Sequence, residues 1–244
     1  MNVNKILEVI LILLCILFVG LQSQTLEIEA SGIRALAMLL LTALYILKVE
    51  KKHIFFMLFL FTFIIADFFN FITWVENFDI DPNFDYFYYI GNSLYILAYL
   101  FLIFRVLDAV NLIRVISKFP LQTILLSGLG VFVAYIVTDI TKHELSNSEF
   151  IMELSYNAVV VFLMCLSMIN YMYKEDKKSM NLLIGSICIV FSEILQLAYY
   201  YISETNSMLN ILCSLFFIIA FIFLYLQSIT KSKFVQAEEP INLE

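Results

Sequence analysis

Long apolar runs separated by short polar breaks make up most of this chain. A helix rising about 1.5 Å per residue needs about 20 mostly apolar residues to cross a hydrocarbon core about 30 Å thick. Eight runs reach that length, over 6–22, 33–49, 53–74, 86–107, 120–140, 150–173, 179–202 and 207–229. The pattern predicts an all-α polytopic transmembrane helical bundle of about eight spans. It forms one domain over 1–230, followed by a short cytoplasmic tail over 231–244. Short breaks make consecutive helices neighbours, and no stretch is left over for a soluble domain.

Composition agrees. The chain is 62% hydrophobic and 14% charged, with a mean hydropathy of +0.93; soluble domains are about a quarter charged. The net charge of -7 points to no partner, because acids collect in the loops and in the tail (Glu238, Glu239, Glu244). Nucleic acid is not an expected partner; the bilayer is. Cys15, Cys165, Cys188 and Cys213 all lie in apolar runs and read as small buried residues, not as a disulfide framework or metal site. Lys5 and the run after it resemble a signal peptide without a small-x-small cleavage site, so the first span is expected to be uncleaved.

Lysine and arginine set the expected orientation, because they accumulate in short cytoplasmic loops. With the N-terminus inside, Lys5, Lys48, Lys51, Lys52, Arg105, Arg114, Lys118, Lys174, Lys177, Lys178, Lys231 and Lys233 share one side, leaving Arg34 and Lys142 outside. Both termini are then cytoplasmic. The outer ends carry Trp74, Tyr86, Tyr88, Tyr89, Tyr199, Tyr200 and Tyr201, which read as interfacial anchors.

Two acids interrupt the apolar runs at depth. Asp67 in the third span and Glu193 in the seventh both lie about 21–22 Å from the basic ends of their helices. A carboxylate there costs roughly 2.5–3.5 kcal/mol, which makes it a candidate functional group by default. Asn92 and Asn157 fall about 10 Å below the outer face, so four helices offer polar groups to one plane. Asp67, Asn70 and Trp74 share a helix face, as do Glu193, Gln196 and Tyr200. This matched order fits a parallel repeat of two four-helix halves that sets the acids opposite one another. Amides in a bundle often serve only to join helices, for about 0.6–2 kcal/mol each; two carboxyls at matched depth are a costlier route to the same adhesion. Asp139, near an outer helix end, reads as an interfacial residue.

Two carboxyls in one poorly solvated pocket cannot both ionise cheaply, so one is expected to hold a proton while the other stays a carboxylate. That division serves paired-carboxylate hydrolysis or a proton-coupled carrier, and spacing does not separate the two. Zinc hydrolysis needs several converging histidines, whereas only His53 and His143 exist, at opposite faces. No lysine sits inside a span for a retinal Schiff base, and neither a Gly-x-Ser-x-Gly nucleophile nor a phosphate-binding glycine loop occurs. No metal or other cofactor is expected.

Four short motifs carry a family resemblance. They are Ala66-Asp67; Gly91-Asn92-Ser93-Leu94-Tyr95; Tyr156 within Leu154-Ser155-Tyr156-Asn157; and Gly185 with Phe191-Ser192-Glu193. In helix count and order the chain resembles the YhhN-type membrane proteins, whose characterised members are lysoplasmalogenases. Two motifs depart from that pattern: Glu193 stands where the family usually has Asp, and Asn92 where many members have His. The resemblance implies hydrolysis of the vinyl ether of a lysoplasmalogen, a single-chain lysophospholipid, to a fatty aldehyde and a glycerophospho-base. Asp67 and Glu193 would be the catalytic acid and base, with Asn70, Asn92, Tyr95, Tyr156, Asn157 and Gln196 lining the substrate pocket. A bacterial cytoplasmic (inner) membrane is the expected location.

Two other readings stand beside it. One is a proton- or cation-coupled transporter of a small amphiphile that uses the same acids; the other is a catalytically inactive lipid-binding relative, motivated by the missing histidine at Asn92. The outer loop over 76–85 is acidic but fits no EF-hand spacing, and reads as a solvated loop.

Overall fold

A computed structural model describes residues 3–76, 85–203 and 207–230. The expectations for the acidic loop and for the tail therefore fall largely on residues 77–84 and 231–244, outside the described residues. Among the described residues every regular element is a helix: α1 Val3–Ser23, α2 Glu27–Lys48, α3 Ile54–Val75, α4 Tyr86–Asp108, α5 Leu112–Lys118, α6 Pro120–Asp139, α7 Asn147–Lys174, α8 Lys177–Tyr201 and α9 Ser207–Ile229. Eight of them are long and apolar enough to cross a membrane. The chain is an integral, multi-pass membrane protein.

Local sequence sets the helix ends. Ser146 and Glu149 form a reciprocal capping box at the start of α7, Asp176 caps α8 by accepting from the Ser179 amide at 2.7 Å, and Asp85 caps α4 through the Tyr88 amide at 3.0 Å. The short helix α5 lies where the hydropathy pattern leaves a connector. Asn111 caps it by accepting from the Arg114 amide, and Pro120 then opens α6 from a position where its missing N–H costs nothing.

Seven of the long helices pack in the order α1, α2, α3, α4, α7, α8, α9, with α9 returning to α1, while α6 lies outside against α7. Consecutive helices are neighbours within α1–α4 and within α6–α9. The seams differ, because α4 packs broadly on α7 whereas α2 and α9 meet only narrowly and α1 spans both. Residues such as Ile12, Leu13 and Ile16 on α1 and Leu121, Ile124 and Phe132 on α6 face outward, as lipid-facing positions do. Lipid is as apolar as leucine, so the helices associate through close packing and polar contacts rather than through water exclusion. Gly185 is one such contact point: a Cβ there would lie 3.2 Å from the Ala220 carbonyl oxygen and from Leu224, tighter than an ordinary contact, so a larger residue would press α8 and α9 slightly apart.

Midway through the bundle the axis is filled by rings. Phe63 and Phe221 meet edge-on at 4.9 Å, Phe217 is tilted against Phe221 at 4.7 Å, and Phe59 stacks on Phe221 at 5.9 Å. Such pairs contribute about 0.5–1.5 kcal/mol each beyond area burial. This plug separates the end bearing Trp74, Asp85 and Tyr201 from the end bearing Lys48, Arg105 and Lys178.

Candidate functional site

Above the aromatic plug lies a cavity of about 610 Å³. Its rim is formed by helix-end residues Trp74, Asp85 and Tyr201, and it descends past Tyr88, Asn92, Glu153, Gln196 and Tyr200 to Glu193, Tyr95 and Tyr156, with Phe63 and Phe217 beneath. Helical rise puts Arg34, Asp67, Asn92, Glu153 and Glu193 all about 9–12 Å from the nearer ends of their helices. The polar plane expected from sequence exists, and it is more populated than the sequence indicated.

Asp67 does not share its pocket with Glu193, which corrects the expected carboxyl pair. Arg34 occupies the place at its side: its Nη2 lies 2.9 Å from Asp67 Oδ1 and donates to the Tyr95 hydroxyl at 2.9 Å. Tyr95 in turn donates to the same Asp67 oxygen at 2.7 Å. The other face of the guanidinium lies over the Phe217 ring, 5.4 Å from its centroid. The Asp67 side chain is fully enclosed, whereas Arg34 keeps 18% of its side-chain surface accessible, and Arg34 rather than Asp67 lines the cavity. Asp67 thus meets the cavity through Arg34 and Tyr95.

Placing Arg34 outside the membrane is the second correction. The apolar run begins at residue 33, but α2 begins at Glu27, which carries Arg34 about 10 Å into the bundle. Its charge is tolerated because Asp67 neutralises it; burying either one alone would leave an uncompensated ion.

Glu193 is held differently. The Tyr99 hydroxyl donates to its Oε1 at 3.0 Å, and Tyr156, whose ring meets Tyr99 edge-on at 6.0 Å, lines the cavity with it. No cation lies within ion-pairing distance of it among the described residues. Glu193 is partly accessible, and that surface faces the cavity. Gln196 and Tyr200 lie beside it on the same helix face and line the cavity with it, as expected.

None of the family models, curated proteins or solved structures compared with this chain matches it.

The remaining expected pocket residues divide. Asn70 and Asn92 line the cavity; Asn70 is held by Trp74 Nε1 at 3.2 Å, and Asn92 donates back to the Tyr88 carbonyl at 3.0 Å. Asn157 does not reach the cavity. It is buried between α7 and α6, donating to Thr138 Oγ1 at 3.1 Å and to Glu153 Oε1 at 3.2 Å. It therefore joins helices and steadies Glu153.

Glu153 itself was not singled out by sequence. It is 6% exposed, lines the cavity and accepts from the Tyr88 hydroxyl at 2.9 Å. The tyrosine belt is correspondingly redrawn. Tyr86 is exposed as an anchor should be, but Tyr88, Tyr200 and Tyr201 line the cavity and Tyr199 is buried, donating to Glu27 at 2.6 Å. Asp139 lies at its helix end, 3.7 Å from Lys142, as an interfacial residue.

Proposed function

We propose that this chain is a membrane-embedded lipid hydrolase of lysoplasmalogenase type, cleaving the vinyl ether of a single-chain lysophospholipid. The observation that supports it is a cavity of about 610 Å³ that reaches Glu193 from the helix ends and is floored by Phe63 and Phe217. A volume in the range of about 300–1,000 Å³ suits a small ligand. Arg34 offers a guanidinium to a phosphate, and Glu153 with the rings of Tyr88 and Tyr201 offers a counter-charge and an aromatic wall to an ammonium group.

In this reading Glu193 is the catalytic acid and base. Its carboxyl gives a proton to the alkene carbon remote from the ether oxygen; the C=C electron pair makes the new C–H bond and leaves an oxocarbenium ion. The resulting carboxylate takes a proton from water as the water oxygen bonds to the cationic carbon. Collapse of the hemiacetal breaks the bond between that carbon and the glycerol oxygen, which takes up the proton. The products are fatty aldehyde and glycerophospho-base. Tyr99 holds the carboxyl in place, and Asp67 acts through Arg34 as a positioning residue. By the positive-inside rule the cavity opens on the outer face of a bacterial cytoplasmic membrane.

A carrier built on the same acids is the competing reading. The ring plug of Phe59, Phe63, Phe217 and Phe221 closes the cavity from below, which favours the hydrolase. The test is release of fatty aldehyde from a lysoplasmalogen by the purified chain in detergent. Aldehyde from the native chain and none from Glu193→Gln supports the hydrolase. No aldehyde from a folded native chain transfers the weight to a carrier or a lipid-binding protein.

A further inference from the structure

The opposite end of the bundle carries a second cluster of charge. Arg105 in the last turn of α4, Lys174 at the end of α7 and Lys178 in the first turn of α8 line one small polar pocket with Asn170, Ser179 and Gln227. The three cations come from three helices, are only partly exposed, and lie within electrostatic range of one another, the two lysines also within range of Asp176. None of them makes a hydrogen bond or an ion pair among the described residues, whereas Lys48 is bound by Glu8 and His53 lies 2.9 Å from Asp108.

Asp176 is the acid in the pocket wall, and its carboxylate is engaged as the cap of α8. Its Oδ1 accepts from the Ser179 amide and hydroxyl, each at 2.7 Å. Asn170 is 4% exposed and its Oδ1 has no partner; half a turn of the amide presents two N–H donors instead. Three half-buried cations share this one acid, which attracts Lys174 and Lys178, so the pocket keeps an excess of positive charge that loses hydration. A ligand that supplies several anionic oxygens offsets the excess charge and replaces the lost hydration.

We propose that Arg105, Lys174 and Lys178 form a binding site for a phosphate group. Their position at the ends of α4, α7 and α8 is level with the headgroup layer, where basic pockets between helices take anionic lipid headgroups. A free phosphate entering from the aqueous phase has the same chemistry. The site is separate from the cavity and independent of the hydrolase reading.

The experiment is thermal unfolding of the full chain in phosphatidylcholine nanodiscs, at constant ionic strength of about 0.15 M, in two arms. One arm adds inorganic phosphate in place of chloride; the other replaces part of the phosphatidylcholine with phosphatidylglycerol. Ligand that binds only the folded chain raises the unfolding temperature. The expected result is stabilisation in at least one arm, which identifies the source. Arg105→Gln, Lys174→Gln and Lys178→Gln should each shift the phosphate or phosphatidylglycerol concentration required upward by about tenfold. Lys51→Gln with Lys52→Gln, at the same end but outside the pocket, should leave it unchanged. Absence of stabilisation in both arms overturns the proposal, as does an equal loss in the Lys51→Gln, Lys52→Gln control.

Discussion

Asp67 on α3 and Glu193 on α8 lie at the same depth, each with an amide one turn beyond, yet their surroundings are opposite. Asp67 is enclosed and joined to Arg34 and Tyr95; Glu193 faces the cavity and is held by the Tyr99 hydroxyl. Matched position in sequence does not give matched chemistry. A cation two turns inside α2 makes one carboxyl structural and leaves the other available to a ligand.

The strongest way to break this comparison is to remove one member of the enclosed pair. Arg34→Ala should lower stability by about 3–5 kcal/mol, because it strands a buried carboxylate. Arg34→Met combined with Asp67→Leu should regain most of that loss, as apolar replacements of whole pairs often do. Unfolding in detergent, followed for the single and double variants together, measures both. A single variant as stable as the native chain would mean that Asp67 has no need of Arg34.

Glu193→Gln should behave in the reverse manner. Glutamine still accepts from Tyr99, so stability should change by no more than about 1–2 kcal/mol, while aldehyde release should fall by about 10²–10⁴-fold. Tyr99→Phe sharpens the comparison further. Losing the hydroxyl that fixes Glu193 should slow release by about tenfold, the rate equivalent of one ordinary hydrogen bond, and leave the Arg34–Asp67 pair untouched. The smallest effect is expected from Asn157→Ala, which lies outside the cavity: about 0.6–2 kcal/mol of stability and turnover within a few-fold, checked by parallel unfolding and rate measurements.

Much of the architecture was legible because apolar length is a strong signal, and all eight long helices coincide with the eight hydropathy runs to within a few residues at most ends. The exception is α2, whose first turn carries Glu27 and Glu29 and so falls below the hydropathy of a span. That one missing turn and a half hid Arg34. Asp67 and Glu193 were visible because a carboxyl deep in an apolar run has few innocent explanations. Glu153 was not, since it lies within two turns of its helix end, where acids are common. Tyr99 left no mark because a tyrosine does not interrupt an apolar run. Asn157 lies about 15 Å inside α7 rather than the expected 10 Å, because the helix starts at Asn147, and its direction depends on where α6 docks, outside the ring in a position that loop length alone does not specify.

The difference between the two carboxyls can be read directly by reaction of the folded chain in nanodiscs with a membrane-permeant carbodiimide, followed by peptide mass spectrometry. Glu193 should be modified and protected by a bound single-chain lipid, while Asp67 stays unmodified until the protein unfolds. Modification of Asp67 in the folded chain as fast as that of Glu193, or none at Glu193, would contradict the division between an enclosed pair and a cavity-facing carboxyl.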